Sequence, residues 1–308
     1  MICNSFAEDR RHLSNLEQAL LHSVCTIFAN LSIITMVIGI DVGISTTKIV
    51  GINNDGRVIS PIRIKATDPV TSLYGAFGKY LYNNKIRLED VEQVMLTGVG
   101  AAYIDAPIYG RPTDKADEFL SDGLGARYET ELQDMIVVSM GTGTSLVQCK
   151  GDDIRHIGGI GIGGGTLMGL ARIMLKTEDI KTITELAMQG NNANIDVKIG
   201  DISPYPLPGL PKEATASLFG NAKSNASRED IALGIINTVL QSIGSSTILS
   251  SLGSGIREYV LIGNLTLLPQ CHTVFPAMEK IFGVKFIIPH YSEFCTAIGA
   301  ALCHKLPR

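Results

Sequence analysis

The stretch Gly39-Ile-Asp41-Val-Gly43-Ile-Ser45-Thr46-Thr47-Lys48 decides the fold. An apolar run from Met36 leads into it and a second β-forming run leaves it, so the pattern predicts two strands joined by a short turn. A turn rich in Gly, Ser and Thr exposes backbone N–H groups that can hold phosphate oxygens. Lys48 adds a point charge for a phosphoryl group, and Asp41 is an oxygen ligand suited to hydrated Mg²⁺. The stretch lacks the GxxxxGK[ST] pattern of a Walker loop, and an ordinary hairpin remains the alternative.

A β-meander is predicted around this turn. Asn54-Asp55-Gly56 lies between two β-rich runs and is a strong hairpin signal. Leu73, Phe77 and Leu81 then recur at helical spacing. The predicted elements of this half are strands over residues 36–43, 47–53, 58–64 and 91–96 and helices over residues 71–84 and 117–132.

The strand-turn-strand pattern occurs a second time at residues 135–148, around Gly141-Thr142-Gly143-Thr144-Ser145. A glycine-dense loop over residues 158–165 then opens a helix, where N–H groups and the positive end of the helix dipole favour an anion. Farther along, Ser227 and Asp230 predict a capping box for a long helix. The remaining predicted elements are a helix from 167 to 175, a proline loop at 204–211, a helix at 227–252, strands at 259–262 and 284–288, and a helix at 297–304. Two similar halves predict a duplicated α/β protein with a cleft between them.

Composition excludes several classes of function. The chain of 308 residues has 26 basic and 30 acidic side chains and a net charge of −4, which disfavours nucleic acid and an anionic membrane as partners. The six cysteines form no CxxC pair, and the histidines form no HExxH pair, so neither a structural nor a catalytic zinc site is expected. Scattered thiols indicate a reducing, cytoplasmic location.

Residues 1–35 differ from the rest of the chain. Charged residues at the start precede an apolar stretch from residue 16 to 34 that is interrupted by His22, Asn30 and other polar side chains. A signal peptide or a membrane span requires a cleaner apolar run. We therefore expect a leader or non-native extension, with a docked extra helix and a membrane anchor as the alternatives.

The order of the glycine motifs is similar to that of the superfamily of actin-like, sugar-kinase and heat-shock-chaperone ATPases. This resemblance implies an α/β fold of two duplicated ribonuclease-H-like domains with an ATP cleft between them. Within the superfamily, residues 36–304 resemble the type II pantothenate kinases. The segments that carry the resemblance are GIDVGISTTKIV (39–50), TGVGA (97–101), DEF followed by GL (117–124), MGTGTS (140–145), GIGGGTLMGL (161–170) and PGLPKEATASLFG (208–220).

The family phosphorylates pantothenate with ATP and Mg²⁺ in the first step of coenzyme A biosynthesis, as a cytosolic homodimer. The resemblance thus implies an N-terminal domain over residues 36–120 and a C-terminal domain over residues 121–308, the second carrying the glycine-rich nucleotide loop and a dimer helix. It also implies pantothenate and ATP as substrates, and coenzyme A or an acyl-coenzyme A as a feedback ligand. Nucleic acid and membrane are not expected partners.

The resemblance implies a role for individual residues. Asp105, eight residues beyond Thr97, matches the position of the family's general base, and Asp41 would hold the metal. His156, with Arg155 beside it, matches an arginine of the substrate and feedback site. The residues expected to bind ATP and its phosphates are Gly43, Ile44, Ser45, Thr46, Thr47, Lys48, Thr142, Gly163, Gly164, Gly165, Thr166, Leu167 and Asn264.

Four positions depart from the family pattern. Asp105 replaces a glutamate, His156 an arginine and Ile44 a glycine, and Ser139 stands where an acid often begins the second hairpin. The departures lie around the expected active site, so they bear on rate, substrate or regulation rather than on fold. Two alternatives stay open: another kinase or ATPase of the superfamily, such as an N-acetylhexosamine kinase or a dehydratase-activating ATPase, and a catalytically weak nucleotide-binding regulator.

Overall fold

A computed structural model describes residues 35–65, 68–205 and 207–306, so the predicted leader at residues 1–35 lies almost wholly outside the described residues. The first half is built on a five-stranded sheet of order β3-β2-β1-β4-β5. Its elements are β1 (Met36–Val42), β2 (Thr46–Asn53), β3 (Val58–Lys65), α1 (Pro69–Asn84), β4 (Val91–Thr97) and β5 (Thr113–Lys115).

The second half has a matching five-stranded sheet of order β12-β11-β6-β7-β8, with a two-stranded sheet of β9 and β10 beside it. Its strands are β6 (Met135–Met140), β7 (Thr144–Lys150), β8 (Asp153–Ile160), β9 (Val197–Lys198), β10 (Thr215–Ser217), β11 (Glu258–Ile262) and β12 (Lys285–Ile287). Its helices are α2 (Glu118–Thr130), α3 (Gly164–Met174), α4 (Ile180–Ala187), α5 (Ile199–Ile202), α6 (Arg228–Ser251), α7 (Cys271–Phe282) and α8 (Cys295–Cys303).

Each half opens with the same antiparallel meander, β1-β2-β3 and β6-β7-β8, and adds parallel strands beside the first strand. The predicted Asn54-Asp55-Gly56 hairpin is present, with Gly56 in the left-handed region at φ 79°. The prediction of a duplicated α/β fold is confirmed.

Two helices join the halves. α2 packs on the second sheet, where Gly123 lies against Ile154 and Cys149. α8 packs on the first sheet, and its Ala297, Ile298 and Ala300 form a core with Val37, Val50, Ile52 and Met95. The last helix of the chain therefore covers one face of the first sheet.

The backbones of α2 and α8 almost touch. A Cβ atom on Gly125 would lie 1.8 Å from the Cys295 carbonyl oxygen, and one on Gly299 would lie 1.7 Å from that of Ser121. A Cβ on Gly39 of β1 would lie 2.0 Å from the Ala297 oxygen. No side chain larger than hydrogen fits these positions, because real Cβ atoms do not approach oxygen so closely.

The structure differs from the sequence predictions in three places. Gly158 and Gly159 lie within β8 rather than in a loop, because Gly159 packs against the Thr144 carbonyl oxygen, where its Cβ would lie only 2.6 Å away. Strands β5, β8, β9 and β10 and helices α4, α5 and α7 were not predicted. The Ser227 hydroxyl caps α6 as expected, but the Asp230 carboxylate accepts from Asn191 and Asn194 instead of completing a capping box.

Helix α6 is, among the described residues, the one helix long and apolar enough to cross a membrane. Most of its apolar side chains, including Ile235, Val239 and Ile243, are buried in the core of the second half. Burial of this kind accounts for the composition of α6 as a core helix.

Candidate active site

The first phosphate turn lies at the edge where the strands of the first sheet end. β1, β4 and β5 are parallel, so Asp41, Thr97 and Lys115 lie at the same edge. Lys48 is the cross-strand partner of Asp41, and its Nζ lies 3.3 Å from the Asp41 carboxylate. Both side chains are almost fully buried, at 7% and 12% exposure. A buried lysine and carboxylate at a strand end form the charged centre of the site.

The loop after β4 closes against Asp41. Gly98 adopts φ +83°, and a Cβ there would lie 2.6 Å from Asp41 Oδ1. Thr97 is the register partner of Asp41, and the hydroxyl oxygens of Thr97 and Thr47 are buried without a hydrogen-bond partner. Buried hydroxyls of this kind are unusual because each carries a desolvation cost. The Thr97 hydroxyl lies on the same face as Asp41 and marks a place for a polar ligand, whereas Thr47, next to Lys48 on β2, points to the opposite face.

The second turn and the glycine loop form one packed unit. The N–H of Gly164 donates to the Gly141 carbonyl, and that of Gly165 donates to the Thr142 carbonyl, both at 2.8 Å. A Cβ on Gly163 would lie 2.6 Å from the Thr142 oxygen. The Thr166 hydroxyl bonds to Gly161 and Gly163 and fixes the start of α3. The structure therefore brings Thr142 together with Gly163, Gly164, Gly165 and Thr166.

Asn264 joins this unit to the first turn. β11 ends beside β6, and Gly263, at φ +93°, lets the chain pass the Met140 backbone. The Asn264 side-chain amide then donates to the Thr46 hydroxyl at 3.2 Å, while its Oδ1 is buried without a partner. This hydrogen bond links the nucleotide residues predicted in the two halves.

The predicted ATP-site residues differ in what they can offer. Gly43 accompanies Ser45 and Ile44 in the turn, and the Ile44 side chain is 68% exposed. Leu167 is fully buried in the second core, and its N–H already donates to the Gly163 carbonyl. Leu167 therefore contributes to the site by packing in the core beneath the glycine loop and holding that loop in place.

Asp105 lies in the loop after β4. Its carboxylate is 89% exposed and lies 3.3 Å from Lys115 Nζ at the end of β5. The neighbouring acids have structural roles: Asp114 accepts from Gln93, and Asp117 caps α2. Asp105 is thus the acid of this group that stands open to a substrate.

Arg155 and His156 do not lie together. They are consecutive residues of β8 and point to opposite faces of the sheet. The His156 ring stacks on Phe119 of α2, with ring centroids 4.1 Å apart. Arg155 pairs with Asp153 at 3.7 Å on the other face. Of the two predicted substrate residues, His156 is the one on the α2 side.

Two acids of α2 were missed in the sequence predictions. Burial, together with the nearby Asp41 and Asp117 carboxylates, raises the pKa of Glu118. Asp122 is fully buried, and its carboxylate accepts a 2.6 Å hydrogen bond from the Thr296 hydroxyl of α8. Burial raises the pKa of Asp122 to about 7. The hydrogen bond from Thr296 lowers this pKa, and the nearby Glu118 and Asp41 carboxylates raise it. The i,i+4 spacing of Glu118 and Asp122 after a cap residue was the available signal.

Comparison with known proteins settles the relationship of this chain. The family profile described as Fumble matches residues 124–275. The type II pantothenate kinase of Staphylococcus aureus (strain USA300) is 32% identical over 191 residues, which are 60% of this chain and 67% of that protein. The chain belongs to the type II pantothenate kinase family. The kinase of S. aureus strain bovine RF122 / ET3-1 is 31% identical over the same share of both proteins.

Solved structures extend the relationship to the fold. The activator of 2-hydroxyisocaproyl-CoA dehydratase from Clostridium difficile, with bound ADPNP, has a TM-score of 0.63 at 18% identity, over 87% of this chain and 93% of that chain. A ROK family protein from Streptococcus pneumoniae has a TM-score of 0.56 at 12% identity, over 87% and 97%. At such identities the likeness shows a shared fold, whereas the sequence relatives show the family.

Proposed function

We propose that this member of the family is a pantothenate kinase, which transfers the γ-phosphoryl group of ATP to the terminal hydroxyl of pantothenate. The observation that carries the proposal is the 32% identity to a protein named type II pantothenate kinase. The geometry supports it, because the Lys48–Asp41 pair and the Asn264–Thr46 hydrogen bond meet at the predicted phosphate site.

We assign the nucleotide to the cleft between the two turns. The backbone N–H groups of the first turn hold phosphate oxygens, the positive dipole end of α3 attracts them, and Lys48 compensates the charge that develops during transfer. Asn264 lies beside the nucleotide at the end of β11. The substrate oxygen forms a bond to the γ-phosphorus as the bond to the bridging oxygen breaks and ADP leaves.

Magnesium fits this site. Proteins usually hold a magnesium ion through one or two carboxylates, and phosphate and water oxygens fill its other coordination positions. Asp41 and the buried, unpartnered Thr97 hydroxyl are oxygen ligands of this kind. Among the described residues no three His, Cys, Asp or Glu side chains could hold a metal by themselves, so phosphate would complete the shell. When bound, the ion neutralises phosphate charge.

Asp105 accepts the proton of the substrate hydroxyl in this proposal. A general base must come within about 2.6–3.2 Å of the proton donor. Its exposed carboxylate is free to turn toward a substrate, and Lys115 Nζ lies 3.3 Å from it. Aspartate is one methylene shorter than the family's glutamate, and a misplacement of about 1 Å can cost roughly a hundredfold in rate. We therefore expect an active but slow kinase.

The remaining assignments follow the family. His156 on the α2 side contacts pantothenate, and coenzyme A or an acyl-coenzyme A is the feedback ligand. We propose a homodimer in the cytoplasm, with nucleotide-binding domains at residues 36–120 and 121–308. Arg155 points away from His156 and therefore does not share its pocket.

The proposal is tested by measuring which hydroxyl compound is phosphorylated. Purified protein with ATP and Mg²⁺ should convert pantothenate to 4'-phosphopantothenate, followed by mass spectrometry. N-acetylhexosamines are the comparison substrates, because the superfamily also contains their kinases. Faster turnover of a hexosamine, or ATP turnover that no hydroxyl compound stimulates, would reject pantothenate as the substrate.

A further inference from the structure

The Asp122 carboxylate joins the two halves at one point. It lies on α2, which packs on the second sheet, and accepts the Thr296 hydroxyl of α8, which packs on the first sheet. Both residues are buried, Asp122 completely and Thr296 at 6% exposure. A carboxylate bond of 2.6 Å in the dry interior is short and strong.

The bond lies within the tightest contact between α2 and α8. The close approaches of Gly299 to Ser121 and of Gly125 to Cys295 involve residues next to this pair or within one helical turn of it. Two helices in such close contact lose the contact if they move apart, but one helix can still slide along the other or rotate against it. A directional hydrogen bond at this point restricts the sliding and rotation of α2 against α8.

The same contact leads to both phosphate turns. α8 packs against β1 through Gly39 and Ala297, and β1 ends at Asp41. α2 packs on β6 and β7 through Ala126, in one core with Val137 and Val147, and these strands flank the second turn. A shift of α2 along α8 therefore changes the separation of the two turns.

We propose that Asp122 and Thr296 form a clasp that sets the separation of the two phosphate turns, which makes Asp122 a positioning residue for the nucleotide. The inference rests on the proposed function, which places the nucleotide between those turns. The clasp acts through the backbone of both halves.

The test measures the affinity of the full chain for ADP with Mg²⁺ by calorimetry. Thr296→Val keeps the shape of the side chain but removes its hydroxyl, and affinity should fall on the order of tenfold. Thr296→Ser keeps the hydroxyl and should bind within about twofold of the wild type. Thr296→Ala repeats the loss if the valine variant proves insoluble.

Thr247→Val is the matched control. Thr247 is also a buried helical threonine, but its hydroxyl donates to Ile243 within α6 and joins no two elements. It should lose comparable stability in a circular dichroism melt and keep its affinity. Equal loss of affinity in the Thr247 and Thr296 variants, or none in either, overturns the clasp.

Phosphorylation of pantothenate is measured on the same samples. A wild type that binds ADP but leaves pantothenate unchanged rejects the proposed function and leaves the clasp intact, provided that Thr296→Val weakens ADP binding. A wild type that binds no ADP overturns the clasp, because there is then no nucleotide to position.

Discussion

Lys48 is a buried lysine paired with a buried carboxylate. It is 6% exposed and lies 3.3 Å from Asp41, whose side chain is likewise buried. Removing one member of such a pair leaves the other buried and unpaired, which is more costly than removing both. Stability and catalysis can therefore be separated at this pair.

Lys48→Met should lower phosphoryl transfer by at least a hundredfold, because charge compensation at the transferred group is lost. It should also destabilise the protein by about 3 kcal/mol, since Asp41 stays buried without its partner. The double variant Lys48→Met/Asp41→Asn should recover most of that stability and remain inactive. Chemical unfolding and a pantothenate kinase assay measure the two effects. Activity in the single variant near that of the wild type would remove Lys48 from the phosphate site.

Asp105 is tested by two substitutions with opposite expected results. Asp105→Asn cannot accept a proton and should reduce turnover by about 10²–10⁴-fold, the usual contribution of a general base. Asp105→Glu restores the reach of the family residue and should equal or exceed the wild-type rate. Stability should change little in both, because the side chain is exposed. Unchanged turnover in the asparagine variant would transfer the role of base to another acid, with Glu118 the next candidate.

Asp122 predicts a pH effect on folding. Its pKa is about 7 in the folded protein against 3.8 ordinarily, so the folded state holds a proton that the unfolded state releases between these values. The free energy of unfolding must then fall as pH rises from about 4 to 7. Asp122→Asn does not titrate and should gain about 2–4 kcal/mol relative to the wild type between pH 4 and pH 8. Parallel stability curves for the two proteins would contradict the raised pKa.

At the residue scale, the sequence motifs select residues that the structure brings together, but they do not give the directions of the side chains. Asp41, Lys48 and Asn264 each lie at a strand end or turn, and short sequence motifs can identify such positions. The fold then brings these positions together. Arg155 and His156 were paired because they are adjacent in sequence, whereas alternation along β8 separates them. Asp122 was missed because its partner, Thr296, lies far along the chain and no local pattern joins them.

Among the elements, the crossing of α2 and α8 is sensitive to a single methyl group. Gly299→Ala would place a Cβ 1.7 Å from the Ser121 oxygen, and one helix would have to move. We expect a loss of more than about 3 kcal/mol, or insoluble protein. Gly169→Ala is the control: a Cβ there meets nothing within 4 Å, and alanine favours a helix by about 1 kcal/mol. Thermal melts of the two variants should therefore shift in opposite directions.

Element prediction succeeded where periodicity and turn chemistry agreed, as in the first meander, in β6 and β7, and in α6. It failed where glycine has a packing role. Gly158 and Gly159 resemble loop residues, yet they lie in β8 because the strand passes close to the Thr144 backbone. Strand β5 has three residues, too few for an alternating pattern, and depends on pairing with β4.

For the whole molecule, a nucleotide held between the two halves should stabilise both together. Ligand at a hundred times its Kd adds about 2.7 kcal/mol to the free energy of unfolding. We expect MgADP to raise the Tm by about 5–10 °C in a single transition. AMP lacks the β-phosphate, and the Lys48→Met variant lacks the charge, so both should shift the Tm less. If heating gives two unfolding transitions and MgADP raises the Tm of only one, the nucleotide contacts only one half.

The position of α8 has a consequence for how the protein is made. Val37, Val50 and Met95 need Ala297 and Ile298 to cover them, and these are synthesised about 200 residues after Met95. A ribosome adds about 5–20 residues per second, so the first sheet waits on the order of 10–50 s with one apolar face open to water. The first half is synthesised first and completed last. Chaperones that bind nascent chains should therefore contact this protein at its first sheet, and release it when α8 emerges from the exit tunnel.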